Sequence, residues 1–138
     1  MFPNHIPNHV DQTVMAVTKA VVLENSADLG IVFDIDVDRS DVVDREGNPI
    51  NDDRLIVLMA AIVLKEHPGT TIVTDAHTSM ALTRFIAYRG GQHCLYRVGY
   101  CNVIDKGVQL NKDGVEAHLM METSGHGALK GNHFLDDG

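Results

Sequence analysis

Short β-branched apolar runs alternate with amphipathic stretches of helical length along most of this chain. That alternation limits the fold more than any other feature of the sequence. The runs Leu29 to Phe33 (LGIVF), Thr71 to Thr74 (TIVT), Cys94 to Val98 (CLYRV) and Val115 to Met121 are too short for helices and read as strands, with Asp41 to Asp44 as a further one. Between them, Gln12 to Glu24 repeats apolar residues at helical spacing, with Val14, Val17, Val21 and Val22 near one face and Asp11 as its cap. Residues from Asp53 to Lys65 do the same through Leu55, Leu58, Met59, Ile62 and Val63, and His67 to Gly69 ends that helix. A third helix covers Met80 to Arg89 and stops at Gly90 and Gly91. Residues 102–114 carry no assignable period. Strand–helix alternation of this kind predicts an α/β fold. Before the turn at Arg45 to Asp52 (REGNPIND) the chain has one helix and two strands, too little for an independent sheet domain. After it comes roughly one small domain's complement. The expected division is part of one domain over 1–48 and most of another over 49–138.

The residues from Gly30 to Ser40, GIVFDIDVDRS, set the functional question, because an apolar strand runs directly into Asp34, Asp36 and Asp38. Crowded like charges are costly unless something positive offsets them. On a straight strand, residues i, i+2 and i+4 share a face but lie too far apart to hold one small ion. If the chain curls after the strand, all three can reach one hard cation, typically magnesium. Arg39, next in sequence, could then hold a phosphate oxygen, and a cation beside an arginine suits phosphoryl transfer. A calcium loop of the helix–loop–helix type needs Gly at its sixth position and Glu at its twelfth. Those places hold Arg39 and Arg45. A strand followed by DxD also fits an aspartyl-phosphate phosphatase with Asp34 as nucleophile and Asp36 as acid. A third reading makes the acidic loop a solvated face of a non-catalytic regulatory or interaction remnant.

Composition narrows the partners. The 138 residues are 44% hydrophobic, enough for a packed core, and carry a formal charge of −8. That balance argues against a basic groove for nucleic acid, but a bound cation can still reverse the local field for a phosphorylated ligand. No apolar run approaches the 18 residues of a membrane span, and the opening residues have neither a secretory signal nor a transit-segment composition. Cys94 and Cys101, with no CxxC, read as reduced thiols, which fits an intracellular protein and leaves cytoplasm or plastid open.

Five motifs in order resemble the alpha-D-phosphohexomutases, the family of phosphoglucomutase, phosphomannomutase and phosphoglucosamine mutase. DIDVDR (Asp34 to Arg39) resembles the family's metal loop, DGDADR or DGDGDR. FPNHIPN (Phe2 to Asn8) resembles the segment before the helix that leads to that loop. PGTTIVTDAHTS (Pro68 to Ser79) resembles a strand and turn of the third domain, ETSGH (Glu122 to His126) the sugar-binding loop GEMSGH, and HFLDDG (His133 to Gly138) the stretch that closes the third domain. The resemblance implies the end of domain II, with the metal loop, over 1–48, and a three-layer α/β/α domain III with a mixed sheet over 49–138. It implies Mg2+ on Asp34, Asp36 and Asp38, with Arg39 beside the phosphoryl group. Glu122 and Ser124 would hydrogen-bond sugar hydroxyls, and His126 would support that loop or the substrate's surroundings. The implied reaction interconverts hexose 1-phosphate and hexose 6-phosphate through a phosphoserine and a bisphosphorylated sugar.

Two departures carry physical consequences. Ile35 and Val37 stand where the family has Gly, or Gly and Ala, and a β-branched residue resists positive φ, so the loop is expected to be strained or reshaped. Met121 and Thr123 replace the Gly and Met of the sugar loop. None of Ser26, Ser40, Ser79 and Ser124 sits in a segment resembling the phosphoserine motif, and nothing resembles the phosphate-clamping C-terminal domain. The expectation is a polypeptide inactive by itself that lacks mutase domains I and IV, with apolar surface on its half-domain that invites self-association.

Overall fold

The computed structural model describes residues 12–50 and 52–136, so the FPNHIPN motif and the last two residues of HFLDDG lie outside the described residues. Helix α1 (Gln12–Glu24) precedes strands β1 (Leu29–Phe33), β2 (Ser40–Asp44) and β3 (Pro49–Ile50), which form an antiparallel sheet in that order. Then come α2 (Asp53–Glu66), β4 (Thr71–Asp75), α3 (Met80–Tyr88), β5 (Gln92–Tyr96), α4 (Tyr100–Lys112), β6 (Ala117–Met121) and β7 (Gly127–Leu129). These strands make a second sheet in the order β5-β4-β6-β7, with β4 parallel to β5 and β6, and β7 antiparallel to β6. The fold is thus α/β: a partial domain followed by a three-layer α/β/α unit around a mixed sheet.

Strand β4 shows why the layers form. All five of its residues are buried, as expected for a central parallel strand covered on both faces. Alternate side chains serve opposite layers. Ile72 joins Ile56, Ala60 and Leu64 of α2 and Leu82 and Ile86 of α3 in one core. Val73 joins Val103 of α4 and Met120 of β6 in the other. Because β4, β5 and β6 run parallel, their carboxyl ends open on one edge, where open α/β sheets characteristically bind ligands.

Helix α1 buries a different stripe from the one expected. Val14 and Val22 are buried, whereas Val17 and Val21 are exposed. The buried pair brackets Thr18, so the packed face is turned by a fraction of a helical turn towards position 18. On α2, Leu58 and Ile62 likewise stay exposed and line an apolar cleft of about 390 Å³ with Leu29, Ile31 and Phe33 of β1. Residues 102–114, unassigned from sequence, lie mostly in α4, and β5 begins two residues earlier than expected.

His93 ties three elements together. Its Nε2 lies 2.8 Å from the Thr74 hydroxyl of β4, and its Nδ1 lies 2.8 Å from that of Thr83 on α3. Burial, weakly opposed by Asp53, pulls His93 below its ordinary value. The unfolded chain takes up this proton near about pH 6.5, so the stabilisation is complete above that pH and is lost as pH falls below it. His93→Gln is therefore expected to lose less stability than the wild type when urea unfolding at about pH 7.5 is compared with about pH 5. Equal losses would contradict this role.

Candidate active site

Residues 34–39 form the loop of the β1–β2 hairpin, and the loop is tightly curled. Asp34 N–H donates to the Arg39 carbonyl and Val37 N–H to the Asp34 carbonyl, both at 3.3 Å. The curl meets the condition for convergence. One carboxylate oxygen from each of Asp34, Asp36 and Asp38 lies within 4.8 Å of the others. Three oxygen donors with no nitrogen or sulfur suit a hard cation, so these residues fit magnesium by donor chemistry and by spacing. Asp34 is buried, Asp38 half-buried and Asp36 exposed.

Arg39 binds the same carboxylates. Its Nη2 pairs with Asp34 Oδ2, and its Nε lies 3.4 Å from Asp38 Oδ1. Burial works against the guanidinium charge, but Asp34 and then Asp38 outweigh it and push Arg39 above its ordinary value. The Asp34 side chain is 3% exposed and engaged by Arg39. That position suits a ligand or charge partner better than a nucleophile that must reach the phosphorus of a phosphate group.

The second half of the site comes from the loops at the carboxyl ends of the parallel strands. Glu122, just after β6, is buried. Its Oε1 accepts from Gly99 N–H at 2.7 Å and its Oε2 from the Ser124 hydroxyl at 2.7 Å. Each oxygen keeps further lone-pair capacity for a ligand hydroxyl. Asp75, at the end of β4 and wholly buried, accepts from Thr123 N–H at 3.0 Å and from the Thr123 hydroxyl at 3.1 Å. His77 N–H also donates to it at 3.3 Å. The end of β4 and the start of α4 are thereby both fastened to residues 122–124. Thr123, a departure from the family pattern, gives Asp75 a side-chain donor, and His77 Nδ1 lies 3.2 Å from the same carboxylate.

The two halves meet through backbone. Arg39 and His126 form an antiparallel bridge. Gly125 has a φ of 95°, and a Cβ there would lie 3.1 Å from the Ser40 carbonyl oxygen, so both the angle and the close approach favour glycine. His126 stacks on Tyr100 with ring centroids 4.3 Å apart. Its Nδ1 lies 2.9 Å from Asp136 Oδ2 and 3.5 Å from Asp38 Oδ2. Burial pushes the Asp136 carboxyl up, His126 opposes that shift, and Asp38 adds to it. All seven candidates from the sequence, Asp34, Asp36, Asp38, Arg39, Glu122, Ser124 and His126, thus fall on two joined loops. Asp75, Gly99, Tyr100 and Asp136 were missed. The aspartates lie in turn-like contexts, and nothing local in the sequence marks a contact that spans 48 residues.

The expected strain is present at one of its two sites. Val37 has a φ of 62°, whereas Ile35 is not among the positive-φ residues. A β-branched residue in the left-handed region costs about 1–2 kcal/mol, more than the roughly 0.5–1 kcal/mol of extra chain entropy that glycine loses. Val37→Gly is expected to stabilise the chain by about 0.5–1 kcal/mol in urea unfolding. A destabilisation would show that the Val37 side chain contributes packing that outweighs its strain.

Comparison with known proteins identifies the family. Residues 51–138 match the family model for phosphoglucomutase/phosphomannomutase, alpha/beta/alpha domain III. The chain is 39% identical over 138 residues to a phosphomannomutase/phosphoglucomutase of Pseudomonas syringae pv. tomato, covering 99% of this chain and 29% of that protein. It is 32% identical to a phosphoglucomutase of Neisseria gonorrhoeae with the same coverage. A crystal structure of a phosphoglucomutase/phosphomannomutase family protein from Burkholderia thailandensis superposes with a TM-score of 0.86 at 33% identity, over 99% of this chain and 29% of that one. A putative phosphomannomutase from Thermus thermophilus shares the fold, with a TM-score of 0.81 at 20% identity over 96% and 29% of the two chains. The chain therefore spans 29% of the length of these relatives, and it belongs to the phosphoglucomutase/phosphomannomutase family.

Proposed function

We propose that this chain supplies the metal loop and the sugar-binding loop of a phosphohexomutase that interconverts hexose 1-phosphate and hexose 6-phosphate. Residues 1–48 are the end of its second domain and 49–138 its third, with β3 pairing back onto β2 across that division. The observation that carries this reading is the direct joining of DIDVDR to ETSGH through the Arg39–His126 bridge and the Gly125–Ser40 approach.

In this proposal Asp34, Asp36 and Asp38 would hold Mg2+, which would supply positive charge to a phosphoryl group in transfer. A hexose hydroxyl oxygen attacks the phosphorus of a phosphoserine supplied from outside this chain. The serine O–P bond breaks as the sugar O–P bond forms, and the proton lost by the sugar hydroxyl is balanced by the one taken up by the departing serine oxygen. The bisphosphorylated sugar then reorients, and the serine takes back the phosphoryl group from the other oxygen. Arg39 stands beside that phosphoryl group, where its charge offsets the negative charge of the transferring oxygens. Glu122 accepts hydrogen bonds from sugar hydroxyls, Ser124 shares them, and His126 supports the loop. The exposed apolar residues of β1 suit a surface covered by the rest of a longer enzyme, or by self-association of the chain alone.

Isothermal titration with Mg2+ tests the metal role. Asp36→Asn is expected to weaken binding by about tenfold or more, at least the loss that follows removal of an outer-shell partner of a ligand. Equal heats from the two proteins would contradict it. The 138-residue chain assayed alone is expected to show no mutase turnover, and beryllofluoride is expected not to trap at Asp34. Stable trapping there would favour the aspartyl-phosphate phosphatase instead.

A further inference from the structure

Asp136 is the contact that the proposed function leaves unexplained. It sits near the end of the described residues, in a run of two aspartates, yet its carboxylate is aimed at His126. The Asp136 side chain is 18% exposed and that of His126 is 13% exposed. The Nδ1–Oδ2 distance of 2.9 Å lies within hydrogen-bond range, whereas the 3.5 Å to Asp38 lies outside it for this donor. Asp136 does not reach His126 on a free tail, because it forms a backbone bridge to Ala128 of β7. The stacked Tyr100 ring covers one face of the imidazole. Asp38, the competing acceptor, is already drawn to Arg39. No described residue hydrogen-bonds to His126 Nε2.

We propose that Asp136 is a positioning residue that holds the Nδ1–H tautomer of His126, so that Nε2 carries the lone pair and accepts a hydrogen bond from a hexose hydroxyl. The tautomer half of this stands on the geometry alone, since an ionised carboxylate can only accept and therefore fixes the proton on Nδ1. The hydroxyl half rests on the reading of residues 122–126 as a sugar loop. Fixing a histidine through the partner of its other nitrogen is a general device, familiar from metal-bound imidazoles.

Nitrogen NMR of the 15N-histidine-labelled 138-residue chain tests this at about pH 8.5, above the usual imidazole range. Wild type and Asp38→Ala are expected to show the Nδ1–H form at His126. Asp136→Asn is expected to retain it, because the amide oxygen can accept the same proton. Asp136→Ala is expected to lower the ratio of Nδ1–H to Nε2–H by about tenfold or more, the effect of losing one hydrogen bond to a charged group. An unchanged amide fingerprint away from the site would show that this variant still folds. If Asp136→Ala keeps the wild-type tautomer, or Asp38→Ala loses it, the assignment to Asp136 is overturned whatever the chain binds. Adding glucose 1-phosphate is then expected to shift the Nε2 resonance in wild type and Asp136→Asn, and less in Asp136→Ala. A wild type with the expected tautomer and no such shift would overturn the acceptor role and leave the assignment of Asp136 standing.

Discussion

Docking of the turn at 122–126 onto the curled hairpin at 34–39 is the constraint on which the site depends. It is made of backbone: a bridge between Arg39 and His126, and the approach of Gly125 to the Ser40 carbonyl. Backbone contact fixes the separation of two loops more tightly than paired surface side chains, which lose rotamer freedom and are screened by salt. It also joins the antiparallel sheet to the α/β/α unit at the edge where the parallel strands end. On the proposed function, a 34–39 hairpin held apart from the 122–126 turn would have no means of placing a hexose phosphate.

Each half of the docked pair is held by a different kind of force. The hairpin loop concentrates negative charge, and Arg39 offsets it through Asp34 and Asp38. The 122–126 turn is held by hydrogen bonds to two buried carboxylates, Glu122 and Asp75, which bring in Gly99 at the start of α4 and the end of β4. Hydrogen bonds to charged groups contribute about 1.5–3 kcal/mol each, so this loop is anchored more firmly than its exposed turn sequence suggests. The strained Val37 shows the opposite balance. A locally unfavourable angle persists because the strands on either side and the docked turn determine the path of the hairpin.

Much of this was legible in the sequence, for reasons that vary by residue. β4 was legible because its β-branched run TIVT is too short for a helix and follows the break at His67 to Gly69. The aspartate trio was legible because three like charges after an apolar strand need an explanation, and the positive φ at Val37 because its motif elsewhere uses small residues. Helix α4 was not, because Asn102, Asp105, Lys106, Gly107 and Asn111 dilute its apolar period, and only Val103 and Gly107 are buried. β7 has three residues, too few for any period to register. The extra residues of β5, Gln92 and His93, are polar, and His93 is tolerated there because two threonines satisfy its ring nitrogens. Asp75 and Asp136 were hidden for a common reason. A carboxylate near a turn looks the same in sequence whether it faces water or a buried donor, and only tertiary structure supplies the partner.

The central claim is that the curled hairpin gathers three carboxylates around one divalent ion beside the sugar loop. Crystals of the chain soaked in Mn2+, with data collected at the manganese absorption edge, test it most directly. One anomalous peak bonded to Asp34, Asp36 and Asp38 together is the result predicted here. A peak bonded to Asp38, His126 and Asp136 instead, or no ordered ion near the hairpin at saturating Mn2+, would contradict the account.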